Sequence, residues 1–218
     1  METQETAPLT GQTVYVVDDD PAMRSSLRWL IESVGLAVRA CASAQEFLHL
    51  YTGDEPGCLV LDVRMPGMSG LDLQNELVRR RIEIPILIIT GYAEVPLAVR
   101  AMKAGAFDFI EKPFSDQTLL DRIRAALTLD EARRRRRAAR DEVKARIELL
   151  TPRERDVMSR IVTGKPNKLI AVELQLSTKT VEVHRAHVME KLKADSLADL
   201  IHLVLLATED DDPDEKGS

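Results

Sequence analysis

Five short apolar runs punctuate the first half of the chain, at residues 14–17, 37–41, 58–62, 86–90 and 108–110. They are rich in Val, Ile and Leu and do not alternate with polar residues. That pattern predicts strands buried on both faces, as in a parallel sheet. Between the runs, apolar residues recur at helical spacing. Met23, Leu27, Leu30, Ile31 and Val34 mark a helix over 22–34. Further helices are predicted over 43–50, 70–80, 95–104 and 116–127. Five alternating βα units predict a doubly wound, five-stranded parallel sheet with right-handed crossovers.

From residue 151 the pattern is all-helical. Thr151-Pro152-Arg153-Glu154 reads as a capping box with Pro at the first helical position. Val157, Ile161 and Val162 give an apolar stripe running to Thr163, and Gly164 is a natural C-terminal cap. A helix over 167–174 leads to the turn Leu176-Ser177, with Ser177 as N-cap of a helix over 178–192. A fourth helix covers 196–207. Two short helices joined by a tight turn make the helix-turn-helix plan, within a small all-α domain. Residues 128–150 are polar and helix-favouring and include the block Arg133 to Arg137. They read as a solvated linker helix continuing the fifth helix rather than as a phosphate-contacting arm, because charge runs are usually solvated. The expected organisation is a domain over 12–127, a helical linker over 128–147, a second domain over 148–207 and a disordered acidic tail over 208–218.

A length of 218 residues suits two domains. The net charge of −6 conceals an uneven distribution. Residues 1–125 carry a net −6, residues 126–150 a net +3, residues 151–207 a net +2 and residues 208–218 a net −5. An acidic front and a basic back imply different partners for the two halves. No apolar run reaches the roughly 18 to 20 residues that span a bilayer. The N-terminus lacks the basic-then-apolar order of a secretory signal. Cys41 and Cys58 are too few for a disulfide framework or a zinc quartet and read as buried, inert thiols. These features lead to the expectation of a cytoplasmic protein without membrane association.

Polar residues with chemical potential stand where strands should end. Asp18 and Asp19 follow the first run, Asp62 ends the third, Thr90 ends the fourth and Lys112 follows the fifth. In an open parallel sheet, ligands bind beyond the carboxyl ends of the strands, so these residues converge on one rim. Three crowded carboxylates call for a neutralising cation. Mg²⁺ suits oxygen donors that leave room for phosphate oxygens. Such a pocket allows an Asp to receive a phosphoryl group. Asp20, before Pro21, fits a helix N-cap instead.

Residues 14–125 resemble the receiver domain of two-component response regulators, through VVDDDPAMR, LVLDVRMPGMSG, ILIITGYA and FDFIEKPF in order. Residues 150–207 resemble the LuxR-type helix-turn-helix domain, through LTPRERDVM, GKPNKLIA and STKTVEVHRAHVMEKLKA. The combination is similar to the NarL/FixJ class of transcription factors. The resemblance implies a flavodoxin-like receiver in which Asp62 is the phosphoacceptor. Mg²⁺ would be held by Asp18, Asp19, Asp62 and the backbone carbonyl of Arg64. Thr90 is the switch hydroxyl, Lys112 pairs with phosphoryl oxygens, and Phe109 takes the aromatic switch position. The Lys112–Pro113 bond is expected cis. Implied partners are a sensor histidine kinase, double-stranded promoter DNA, RNA polymerase and a second copy of the chain after phosphorylation.

In the second domain the resemblance puts Lys179, Glu182, Val183 and Arg185 nearest the bases. His184 and Lys191 fall nearer the DNA backbone, and Asn167 and Lys168 where the preceding helix meets phosphates. Without the motif, these charges would pass for solvated surface, and a net +2 is weak support for DNA binding. A haloacid-dehalogenase-like phosphatase is the rival enzyme class, because Asp18 and Asp20 match its Asp-x-Asp spacing. The later acidic pair of those enzymes is missing, so the chain is expected not to be an enzyme. A second rival is a DNA-binding protein with a degenerate receiver. The full set of rim residues speaks against it.

Overall fold

A computed structural model of the chain describes residues 11–91 and 95–208; the acidic tail beyond 208 lies outside the described residues. The chain divides into two compact units between Arg134 and Arg135.

The first unit alternates strand and helix throughout: β1 (Thr13–Val17), α1 (Pro21–Ser33), β2 (Ala37–Cys41), α2 (Ala44–Leu50), β3 (Gly57–Asp62), α3 (Gly70–Arg79), β4 (Ile86–Thr90), α4 (Val95–Lys103) and β5 (Asp108–Glu111). The next helix, α5 (Asp116–Glu148), begins here and contains the division between the units. The strands form one parallel sheet in the order β2-β1-β3-β4-β5. Register aligns Val17 with Leu61, Asp62 with Ile89, and Thr90 with Glu111, so the strands finish along one rim.

Side chains alternate across the sheet, as the two-residue strand period requires. Tyr15, Val17, Leu59, Leu61 and Ile88 pack on one face against Phe47 of α2, Leu73 and Leu77 of α3 and Ala101 of α4. Val14, Val16, Val60, Leu87 and Ile89 pack on the other against Leu27 and Ile31 of α1 and Leu119 and Ile123 of α5. All of β1 except Thr13, and all of β3 and β4, are buried, as the apolar runs predict. The outer strands depart from that expectation. In β2 only Cys41 is buried, and in β5 only Ile110. Each pairs along one edge only.

Local chemistry sets the helix starts. Asp20 caps α1 by accepting from the Ala22 amide at 2.9 Å, with Pro21 in the first turn. Ser69 and Asp72 form a capping box at α3. Helix α5 runs unbroken to Glu148, as the helix-favouring composition of 128–150 predicts. The stretch expected to be solvated is fastened to the sheet in its early part. Gln12 Nε2 donates to the Leu127 carbonyl at 3.0 Å, and the buried Asp130 carboxylate accepts from the Gly57 amide at 2.9 Å. Arg134 donates to Asp130 at 2.8 Å and to the Glu55 carbonyl at 2.6 Å.

The second unit contains α6 (Pro152–Ile161), α7 (Asn167–Leu174), α8 (Thr178–Leu192) and α9 (Leu197–Thr208). Val157, Ile161, Ile170, Leu174, Val181, Val188, Leu192 and Leu200 form its core. The Thr151–Glu154 capping box is present. Gln175, left-handed at φ 56°, ends α7, and Ser177 caps α8 through the Thr180 amide at 3.0 Å.

Candidate functional site

The rim of the sheet is organised around one ammonium group. Lys112 Nζ lies 2.9 Å from Asp18 Oδ2 and 2.7 Å from Asp62 Oδ1. It thereby joins the ends of β1, β3 and β5, elements separated by as much as 94 positions in sequence. Asp18 is 1% exposed and Asp62 is 7% exposed. The second oxygen of each carboxylate is also held. Asp18 Oδ1 accepts from the Asp20 amide at 2.9 Å, and Asp62 Oδ2 from the Arg64 amide at 2.7 Å. Arg24 of α1 donates to the Asp18 carbonyl at 2.6 Å, which fixes the loop that carries the acidic residues.

Burial pushes the Asp62 carboxyl above the usual carboxylate range; hydrogen bonding and charge from Lys112 oppose that rise, and Asp18 adds to it. For Lys112 burial acts downward, but the hydrogen bonds and charges of Asp62 and Asp18 outweigh it and raise the ammonium. Crowded carboxylates called for a cation, and Lys112 supplies one for the two buried members. Asp19 is exposed and keeps its hydration. One ammonium faces two buried carboxylates, with the Asp19 carboxylate exposed beside them. The donor set is all oxygen, which fits a small hard cation. Arg64 contributes its amide to Asp62 here.

Thr90 is 1% exposed at the end of β4, and its carbonyl accepts from the Lys112 amide at 2.8 Å. The hydroxyl strand and the lysine loop are therefore held together. The Lys112–Pro113 peptide is cis, as expected. Phe109 is half-buried on the α4 side of the sheet. Asp20 is exposed and occupied as a cap, so the Asp-x-Asp spacing does not bring a second carboxylate inward. An open pocket beside the rim is lined by Asp19, Arg64, Met65, Leu97 and Arg100, among others. Gly70 was not singled out in the sequence. A Cβ there would lie 2.3 Å from the Asp62 carbonyl, so only glycine lets α3 start against the acceptor strand. The run MPGMSG held that signal.

In the second unit the residues expected to face DNA gather at the α7 start and along α8. Asn167 Oδ1 accepts from Arg185 Nη1 at 3.4 Å, joining the two helices. Lys179 is 85% exposed in its side chain and lies 3.8 Å from Glu182. Val183 is 45% exposed, an apolar side chain on an otherwise polar face. Lys168 begins α7 beside Asn167. Lys191 stands apart from this group. Its Nζ donates to Glu154 Oε2 at 2.7 Å and to the Leu149 carbonyl at 3.3 Å. The Lys191 hydrogen bond, aided by Thr151, holds the Glu154 carboxyl down to about 2 against the effect of burial. Sequence reasoning recognised Glu154 as a capping residue but not as a buried ionic hub.

A parallel sheet of this order, with an acidic pair, a strand-end Asp, a hydroxyl and a lysine on one rim, defines a receiver domain. Followed by a helix-turn-helix unit, it makes the plan of a response regulator. The comparisons with known proteins agree. Residues 14–124 match the response regulator receiver domain family, and residues 148–204 match the luxR family of bacterial regulatory proteins. The chain is 51% identical over 194 residues to nodulation protein W of Bradyrhizobium diazoefficiens, covering 89% of this chain and 86% of that protein. It is 49% identical to the transcriptional regulatory protein FixJ of Azorhizobium caulinodans, covering 89% and 92%. Among solved structures, the response regulator StyR matches with a TM-score of 0.81 at 45% identity, covering 90% of this chain and 99% of StyR. Full-length FixJ from B. japonicum matches with a TM-score of 0.56 at 45% identity, covering 91% and 97%. The chain belongs to the response regulator family and is a transcription factor of the FixJ/LuxR type.

Proposed function

We propose that Asp62 accepts a phosphoryl group from a sensor histidine kinase and that this event pairs two copies of the chain on promoter DNA. The observation that supports it most is the Lys112 ammonium bridging Asp18 and Asp62 at the ends of separate strands. An Asp62 oxygen attacks phosphorus, the bond to the phosphohistidine nitrogen breaks, and the imidazole leaves with the electron pair. Lys112 exchanges a carboxylate oxygen for a phosphoryl oxygen as charge shifts outward. Asp18, Asp19, Asp62 and the Arg64 carbonyl are the groups for Mg²⁺, which when bound neutralises charge on the transferring oxygens. The Thr90 hydroxyl donates to the new phosphoryl group, and Phe109 turns into the space Thr90 leaves. A local charge change thus biases a two-state element, with pairing of receiver surfaces as its result.

The receiver spans residues 12–127, the linker 128–147 and the DNA-binding domain 148–207 in this reading. Paired α8 helices then enter successive major grooves about one turn apart. Lys179, Glu182, Val183 and Arg185 read base edges. Asn167, Lys168 and His184 meet the sugar-phosphate backbone, and Lys191 joins them only by leaving Glu154. RNA polymerase is the downstream partner, the cytoplasm is the compartment, and no enzymatic turnover is assigned. No helix among the described residues is long and apolar enough to cross a membrane. Incubation with a small-molecule phosphodonor and Mg²⁺ tests the reading. Acid-labile phosphate should appear on the wild type and not on Asp62→Asn. Equal labelling of both would refute the assignment of Asp62.

A further inference from the structure

Helix α8 takes part in a second cluster of ligating groups, which the phosphoacceptor chemistry does not use. His184 and His187 stand three residues apart on α8, a spacing that places both on one face. Glu154 of α6 meets them, and ligating atoms of all three lie within 4.8 Å of one another. Glu154 is 3% exposed. Its Oε2 is engaged by the Thr151 amide at 2.8 Å and by Lys191 at 2.7 Å. Its Oε1 faces His187 Nδ1 at 3.4 Å. That distance is long for a charge-assisted hydrogen bond, which favours about 2.7 to 2.9 Å. It matches the roughly 3.4 Å between two ligands that each sit about 2.1 Å from a tetrahedral ion.

A separate observation points to a ligand. His184 Nδ1 is buried and has no hydrogen-bond partner among the described residues. Buried polar atoms in folded proteins are almost always paired. In the tautomer that carries its proton on Nε2, His184 Nδ1 has the electron pair that a metal ion takes.

We propose that Glu154, His184 and His187 form a binding site for a divalent transition-metal ion of the zinc type. Two imidazoles and one carboxylate are the donors that Zn²⁺ and its neighbours prefer, whereas Mg²⁺ and Ca²⁺ select oxygen. Three protein ligands leave a fourth position for water or an outside ligand. Glu154 binds through Oε1 alone, since Oε2 stays with Lys191 and Thr151. His187 is 51% exposed in its side chain and can swing to complete the geometry. The ion would strap α6 to α8 beside Val183 and Arg185.

The test uses full-length protein stripped of metal with a chelator. Zn²⁺ is titrated against a chromophoric competitor, and Co²⁺ is then bound to read its visible absorption. The wild type should bind one more equivalent than His187→Ala or His184→Ala, or bind at least tenfold more tightly than each variant. Its Co²⁺ bands should have the intensity of a tetrahedral site, and the variants should lack them. His187→Ala alters a half-exposed side chain, so an unchanged circular dichroism spectrum separates loss of metal from loss of fold. The rim carboxylates of the first unit are retained in every variant, so their own cation binding cancels in the comparison. Identical Zn²⁺ binding and identical Co²⁺ spectra in all three proteins would overturn the proposal and leave Glu154 and His187 as close neighbours that hold no metal.

Discussion

Single residues show how a local charge balance sets up chemistry. Asp18 and Asp62 are desolvated carboxylates that Lys112 holds at hydrogen-bond distance. Lys112→Met removes their shared cation and leaves two buried like charges. In metal-free buffer at neutral pH the first unit should lose on the order of 1 to 3 kcal/mol, since removing one partner leaves the other buried and unsatisfied. Added Mg²⁺ should recover part of that loss. Urea unfolding with and without Mg²⁺ checks this, and unchanged stability in both buffers would remove Lys112 from its structural role. Arg185, held by Asn167 at 3.4 Å, is poised between two helices. Arg185→Ala should weaken specific DNA binding by about 1 to 3 kcal/mol if its guanidinium reads a base. A weakening of equal size on non-specific DNA would reassign it to phosphate. The cysteines belong at this scale too. Burial is the main cause that pushes Cys41 up to about 11 and moves Cys58 in the same direction. A raised thiol value disfavours the reactive thiolate. Both should therefore resist alkylation at pH 8 in the native protein and react at once in denaturant, whereas native labelling at the denatured rate would contradict their burial.

At the level of elements, the sequence was most readable where one local rule acts alone. Helices α7 and α8 occupy the residues expected, because Ser177 and the Leu176 turn mark their junction unambiguously. The central strands are continuous apolar runs and were equally clear. Edge strand β2 was misread as buried, since apolar content does not say which strand lacks a neighbour. The rim residues were legible through their strand-end positions together with the family motifs. The Asp130–Arg134 clasp was not, because a charged helix looks solvated until the chain brings the Gly57 amide to it. The buried role of Glu154 was hidden for the same reason. Two substitutions test these packing devices. Gly70→Ala would set a Cβ 2.3 Å from the Asp62 carbonyl, so α3 or the acceptor loop must move. A loss of about 1 to 3 kcal/mol, with slower phosphorylation, is expected; wild-type stability and rate would show that the contact yields freely. Asp130→Ala strands the Gly57 amide and removes one of the partners of Arg134, at a cost of about 1 to 3 kcal/mol. Hydrogen exchange at the Gly57 amide reads the effect directly, and undiminished protection there would contradict the clasp.

The whole molecule couples a receiver to a helix-turn-helix unit through one polypeptide, and α5 contains the division between them. In the proposed switch a charge placed on Asp62 changes the association state of the chain. Sedimentation of the wild type and of Asp62→Asn, each with Mg²⁺ and with or without beryllofluoride as phosphoryl mimic, tests it most directly. The wild type should shift from monomer to dimer only when beryllofluoride is present, and Asp62→Asn should not shift. A wild type that stays monomeric, or a variant that shifts equally, would contradict it.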